Sequence, residues 1–189
     1  MTPQEVADRA SKHAFGEPLV VNNLRAIIVE TIVESVLPDW TWCSKDWAAW
    51  DFEHPDGIRL EVKQAAAKQT WATTKPRRPT FDIRPRTGRY EGTTWISSPS
   101  PERFADLYLF AFHPRDDMTA DQRDPMQWEF YVVPAAKLPA KNAWSLSDVR
   151  AAAPVVTYDE LSAHVEAAKA THLGTLKTAR ANTGSPETQ

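Results

Sequence analysis

The chain has 189 residues, with 22 Lys and Arg against 25 Asp and Glu, giving a formal charge of −3. That length suits one domain with a real core, and the 42% apolar and 25% charged shares, with a mean hydropathy of −0.49, exclude a disordered or membrane-embedded chain. The acidic balance, taken whole, speaks against a nucleic-acid partner. No apolar run approaches the roughly 18 residues that span a bilayer, and Met1 to Glu5 lack the basic-then-apolar pattern of a secretory leader. The single cysteine, Cys43, forms neither an internal disulfide nor a cysteine-rich zinc site. These features lead us to expect a cytoplasmic protein with no membrane partner.

From Leu19 to Leu37, apolar residues at 20, 21, 24, 27, 28, 29, 32, 33, 36 and 37 have helical spacing, and Pro38 stops the run. From Trp40 the texture turns aromatic and β-branched, and an alternating run from Ile58 to Lys63 predicts strands. Ala105 to His113 and Gln127 to Pro134 are short apolar runs with clear stops, as in buried strands. Tyr158 to Ala170 predicts a closing helix. Repeats and linkers are lacking, so one domain over 1–174 is expected, with a flexible tail over 175–189. The expected class is α/β, a mixed β-sheet flanked by helices.

The segment Trp50 to Lys63 carries the chemistry. His54-Pro55-Asp56-Gly57 has Pro where a type I turn fixes φ and Gly where a left-handed residue must follow. That loop sets residue 54 opposite 58, and the continued register sets Glu53 opposite Arg59 and Asp51 opposite Glu61. Lys63 follows on the same face, while Trp50, Phe52, Ile58, Leu60 and Val62 form the apolar reverse. A two-residue loop on Asp56-Gly57 would move Asp51 to the opposite face from Glu61.

Two opposed carboxylates repel unless a cation joins them, and a hard divalent ion with oxygen ligands fits; we expect Mg2+, with Mn2+ as substitute. Asp51, Glu61 and the Val62 carbonyl would hold it, and Lys63 would orient a water or offset phosphate charge. The bland alternative is a solvated hairpin face whose charges pair across strands.

These residues resemble the PD-(D/E)XK nuclease superfamily, in which one hairpin strand carries Asp and the next Glu-x-Lys, here Asp51 and Glu61-Val62-Lys63. The resemblance is closest to an uncharacterised bacterial group, through Asn23-Leu24, Trp50-Asp51-Phe52, Glu61-Val62-Lys63-Gln64, Gln69-Thr70-Trp71 and Gln127-Trp128-Glu129-Phe130-Tyr131-Val132. Trp50 replaces the proline of the motif name. The resemblance implies a restriction-endonuclease-like core and a metal-dependent endonuclease acting on DNA. It also implies a helix glutamate assisting the metal: Glu30, with Glu34 as fallback on the same stripe. A noncatalytic nucleic-acid-binding or assembly subunit with the same fold is the competing expectation, and either admits a homodimer.

Lys75, Arg77, Arg78, Arg84, Arg86 and Arg89 face one acid, Asp82, so the segment 75–89 is +5 and the remainder −8. Directly after the hairpin, such a stretch suits a phosphate backbone. Pro76, Pro79 and Pro85 make it a loop or edge strand, Thr80 to Ile83. An ordinary solvated loop is the alternative. Gln64, Gln69 and Trp71 are candidates for sugar or base contacts. No histidine pair has zinc-ligand spacing, and with no glycine-rich phosphate loop no nucleotide cofactor is expected.

Overall fold

The structure is a computed structural model that describes residues 1–44, 48–71 and 78–183. Helix α1 (Pro3–Phe15) starts at a capping box between Thr2 and Glu5 and buries no residue. Helix α2 (Asn22–Glu34) turns Val29, Ile32 and Val33 inward, together with Arg25 and Glu30. Strands β1 (Thr41–Trp42), β2 (Phe52–Glu53) and β3 (Arg59–Ala66) follow, then β4 (Thr80–Asp82) and a hairpin of β5 (Arg86–Glu91) and β6 (Thr94–Glu102). The chain continues through β7 (Leu107–His113), β8 (Glu129–Pro134), β9 (Ala143–Ser145), α3 (Leu146–Ala152) and α4 (Tyr158–Thr183).

The central sheet has the order β1-β2-β3-β7-β8. Only β3 and β7 are parallel, so the sheet is mixed and the class is α/β. Every residue of β7 is buried. Leu107, Leu109 and Ala111 pack with Val29, Val33, Leu161 and Val165 on the face covered by α2 and α4. Tyr108, Phe110 and Phe112 pack on the other face against Phe81 and Ile83, Trp144, and Leu146 and Val149. A strand buried on both faces explains the uninterrupted apolar run in its sequence. The two faces are unlike: helices cover one, while β4, β9 and α3 cover the other. The β5–β6 hairpin pairs only with itself.

Two expectations change in extent. The closing helix expected over 158–170 continues to Thr183, so the segment expected as a tail from 175 is helical that far. The basic segment, expected as a loop or an edge strand over Thr80 to Ile83, holds β4 there and also the start of β5. No helix among the described residues is long and apolar enough to cross a membrane.

The turn between β2 and β3 has the expected geometry. Gly57 has φ of 78°, its N–H donates to the His54 carbonyl at 2.8 Å, and His54 N–H donates to the Ile58 carbonyl at 2.9 Å. Helix α4 grips this turn. Lys169 Nζ lies 2.8 Å from His54 Nε2 and 2.6 Å from a Glu166 carboxylate oxygen, and the Trp40 ring stands edge-on to His54 at 5.3 Å.

Candidate metal and phosphodiester site

The expected register holds for two pairs, Phe52 with Leu60 and Glu53 with Arg59, and then stops. Asp51 leaves the ladder. Its N–H donates to the Leu60 carbonyl at 3.0 Å, its carbonyl accepts from Cys43 N–H at 2.9 Å, and its Oδ2 accepts from Val62 N–H at 2.7 Å. The expected direct pairing of Asp51 with Glu61 is therefore replaced by a carboxylate seated on the β3 backbone. The reason is local: with no β2 residue opposite it, the Val62 N–H takes the nearest strong acceptor. The break also moves Trp50 off the apolar face expected for it. Its ring packs with the Tyr108 and Phe110 cluster, the Arg59 guanidinium lies 4.0 Å above it, and its Nε1 donates to Glu53 at 3.1 Å.

Strand β3 carries the other groups. The Arg59 carbonyl accepts Asp106 N–H, beside the start of β7, so alternation turns the amide and carbonyl of residue 62 to the opposite side, where Asp51 sits. Glu61 and Lys63 point to the face of Tyr108 and form a close ion pair with each other. From α2, Glu30 is 7% exposed and accepts from Trp42 Nε1 at 2.9 Å, whereas Glu34 is exposed, which decides between the two helix carboxylates.

Burial raises the pKa of all three carboxyls. Glu61 is pushed up to about 7 by burial and the nearby charge of Asp51, against the pull of Lys63 and Arg86. Glu30 is raised by burial and by Asp51, with Trp42, Ser44 and Lys63 opposing. Asp51 is raised by burial, with Val62 N–H, Lys63 and Ser44 opposing. The three groups feel one another through Asp51, and Lys63 acts on all three. Among the described residues, no three His, Cys, Asp or Glu side chains are close enough together to form a ready metal-ligand set. Asp51 Oδ2 and Glu30 Oε2 each accept a hydrogen bond, while Lys63 holds Glu61 Oε1.

A cleft of about 430 Å³ opens on the Glu61 and Lys63 side. Arg84, Arg86 and Arg89 line it, so part of the basic segment reaches the predicted carboxylate strand. Arg78 is exposed and is not part of the lining. Lys75 and Arg77 lie outside the described residues.

Gln64 and Gln69 have another occupation. Arg25, 1% exposed, donates from Nε to Gln64 at 2.6 Å, from Nη1 to Gln69 at 3.1 Å and from Nη2 to Asn22 at 2.5 Å. A guanidinium held by three amide oxygens ties the end of β3 to α2, and burial lowers its pKa to about 10. Arg25 escaped the sequence reading, although a cation four residues before Val29 falls on the helix's apolar stripe. Trp42 and Ser44 also escaped it, because their role depends on where the Asp51 backbone turns. Comparison with protein-family models and with curated proteins gave no match.

Proposed function

We propose that this chain is a metal-dependent nuclease with a restriction-endonuclease-like core, hydrolysing phosphodiester bonds in DNA. The observation that carries this reading is the Asp51 carboxylate docked on the N–H of Val62, the residue between Glu61 and Lys63 on β3. Glu30 reaches the same neighbourhood from α2. Three carboxyls with raised pKa values, Glu30 buried and Asp51 and Glu61 half-buried, are costly for a fold that has no use for them.

The donor set fits a hard divalent cation such as magnesium or manganese: Asp51, Glu61 and the Val62 carbonyl are all oxygen ligands. Bound there, the ion would supply charge neutralisation and a water of lowered pKa. Lys63 would release Glu61 and turn its ammonium toward the attacking water or the phosphate. Glu30, tethered by Trp42, would hold a proton or an outer water. Arg84 and Arg86 would align the phosphate chain across the cleft.

The test is cleavage of plasmid and single-stranded DNA with magnesium, comparing the wild type with Asp51→Ala and Lys63→Ala. Cleavage lost in both variants is expected. A wild type that binds DNA but cuts nothing with magnesium or manganese overturns the enzyme reading and leaves a noncatalytic binding subunit.

A further inference from the structure

We infer that the β5–β6 hairpin is a stacking arm that selects single-stranded polynucleotide, seating an unpaired base on Trp95 while the adjacent phosphates meet Arg84, Arg86 and Arg89. This deepens the proposed function by naming its substrate form.

Trp95 lines the cleft opposite Glu61 and Lys63 and is 48% exposed. It is nonetheless held in place. Its Nε1 donates to Ser97 Oγ at 3.1 Å, and Tyr90, its cross-strand partner, meets it edge-on at 5.1 Å. Gly88 makes this placement possible: a Cβ there would lie 2.6 Å from the Trp95 ring and 2.4 Å from the Ile96 carbonyl oxygen. A large apolar ring fixed from below and left open to solvent is a prepared surface that the core does not use.

The chemistry beside it selects an anion. The Arg84 side chain forms no ion pair among the described residues, and Arg86 reaches Asp82 only at 3.6 Å. The Arg89 Nε is buried without a hydrogen-bond partner, although another nitrogen of that guanidinium holds Glu91. Exposed aromatic rings beside a cationic groove bind single strands, because each unpaired base offers a free π-face. In a duplex both faces of an internal base are already stacked, so the ring gains nothing there. Deoxyribose and ribose strands share this chemistry.

The test is fluorescence anisotropy in EDTA, which reads binding without turnover, using labelled oligodeoxythymidylate, labelled oligouridylate and a labelled DNA duplex. We expect Trp95→Ala to weaken single-strand binding by about 5- to 150-fold, with duplex binding unchanged, and Trp95→Phe to restore most of the loss. Arg84→Ala with Arg86→Ala should reduce the salt slope by about 1.4 on single strands. Preference for either oligomer over the duplex, lost with Trp95 and rescued by Phe, supports the inference. Equal or tighter duplex binding, no effect of Trp95→Ala, or failure of Phe to rescue overturns it. A wild type that shows the Trp95-dependent preference yet cleaves nothing with magnesium removes the nuclease reading alone. One that cleaves but is indifferent to Trp95 removes this inference alone.

Discussion

Replacing Glu61 by Gln should stabilise the metal-free protein at alkaline pH and, on the proposed function, abolish binding of a divalent ion. The carboxyl moves from an ordinary value of 4.5 to about 7 because the fold desolvates it and sets it near Asp51, which outweighs Lys63. The shift corresponds to roughly 3 kcal/mol of preference for the neutral form. Below pH 4.5 the carboxyl is neutral in both folded and unfolded chains and contributes no difference. Between there and pH 7 the unfolded chain releases a proton that the folded chain keeps, so stability falls as pH rises, and above pH 7 the loss is complete. Glutamine lacks this slope. Urea denaturation in EDTA should therefore show Glu61→Gln ahead of the wild type by under about 1 kcal/mol at pH 5 and by roughly 3 kcal/mol at pH 8. Magnesium at 1,000 times its Kd should reverse the order at pH 8, since it adds about 4.1 kcal/mol to the form that binds it. Isothermal titration should also show metal affinity falling below pH 7, where binding must displace the Glu61 proton. A Glu61→Gln variant less stable than the wild type at pH 8, or an advantage that does not change with pH, refutes the reasoning.

Lys63→Ala should slow cleavage by about 10²- to 10³-fold at saturating magnesium, measured on single-stranded DNA, if its ammonium acts on the reacting phosphate or water. Gly57→Ala should cost about 1 kcal/mol in chemical denaturation: the space around Gly57 is open, so the penalty is the left-handed backbone alone. Gln69→Ala should lower stability by about 1.5–3 kcal/mol, the worth of a hydrogen bond to a charged group, because it strips a partner from the buried Arg25. Thermal melts would show this loss, and single-strand affinity should stay within about twofold, since Gln69 lies outside the cleft lining.

Local patterns carried much of the fold into the sequence. The α2 stripe, the turn at Gly57 and the apolar run of β7 each obey a short-range rule, and each stands where the pattern put it. What the sequence hid has a common cause. Helix α1 buries nothing and is polar on average, with few large apolar residues, so the capping pair Thr2 and Glu5 is its plainest mark. The β5–β6 hairpin is mostly exposed and carries Pro99 and Pro101 in β6, so neither alternation nor strand propensity announces it; the prolines fit because this strand pairs on one side only. Gln64 and Gln69 looked like surface amides beside a catalytic strand. A helix 39 residues or more away in sequence claims them instead.

Asp51 shows how a register argument can miss the contact that a residue makes. Regular pairing would place its carboxylate beside Glu61 on the face of Tyr108 and pair the Val62 backbone with residue 50. In the structure the ladder ends at Phe52, and Asp51 turns onto the Val62 N–H left open by that break, at 2.7 Å. The same departure carries Trp50 to the opposite face and brings the Asp51 charge within reach of Glu30 on α2 as well as Glu61. A continuous hairpin would have set two carboxylates on one face; in the broken one the Asp51 charge acts on a carboxyl of the helix as well as on one of the strand. On this argument, restoring Val62 N–H to a strand neighbour would strengthen the hairpin and disperse the site. The short length of β2 is therefore a property of the site rather than a defect of the sheet.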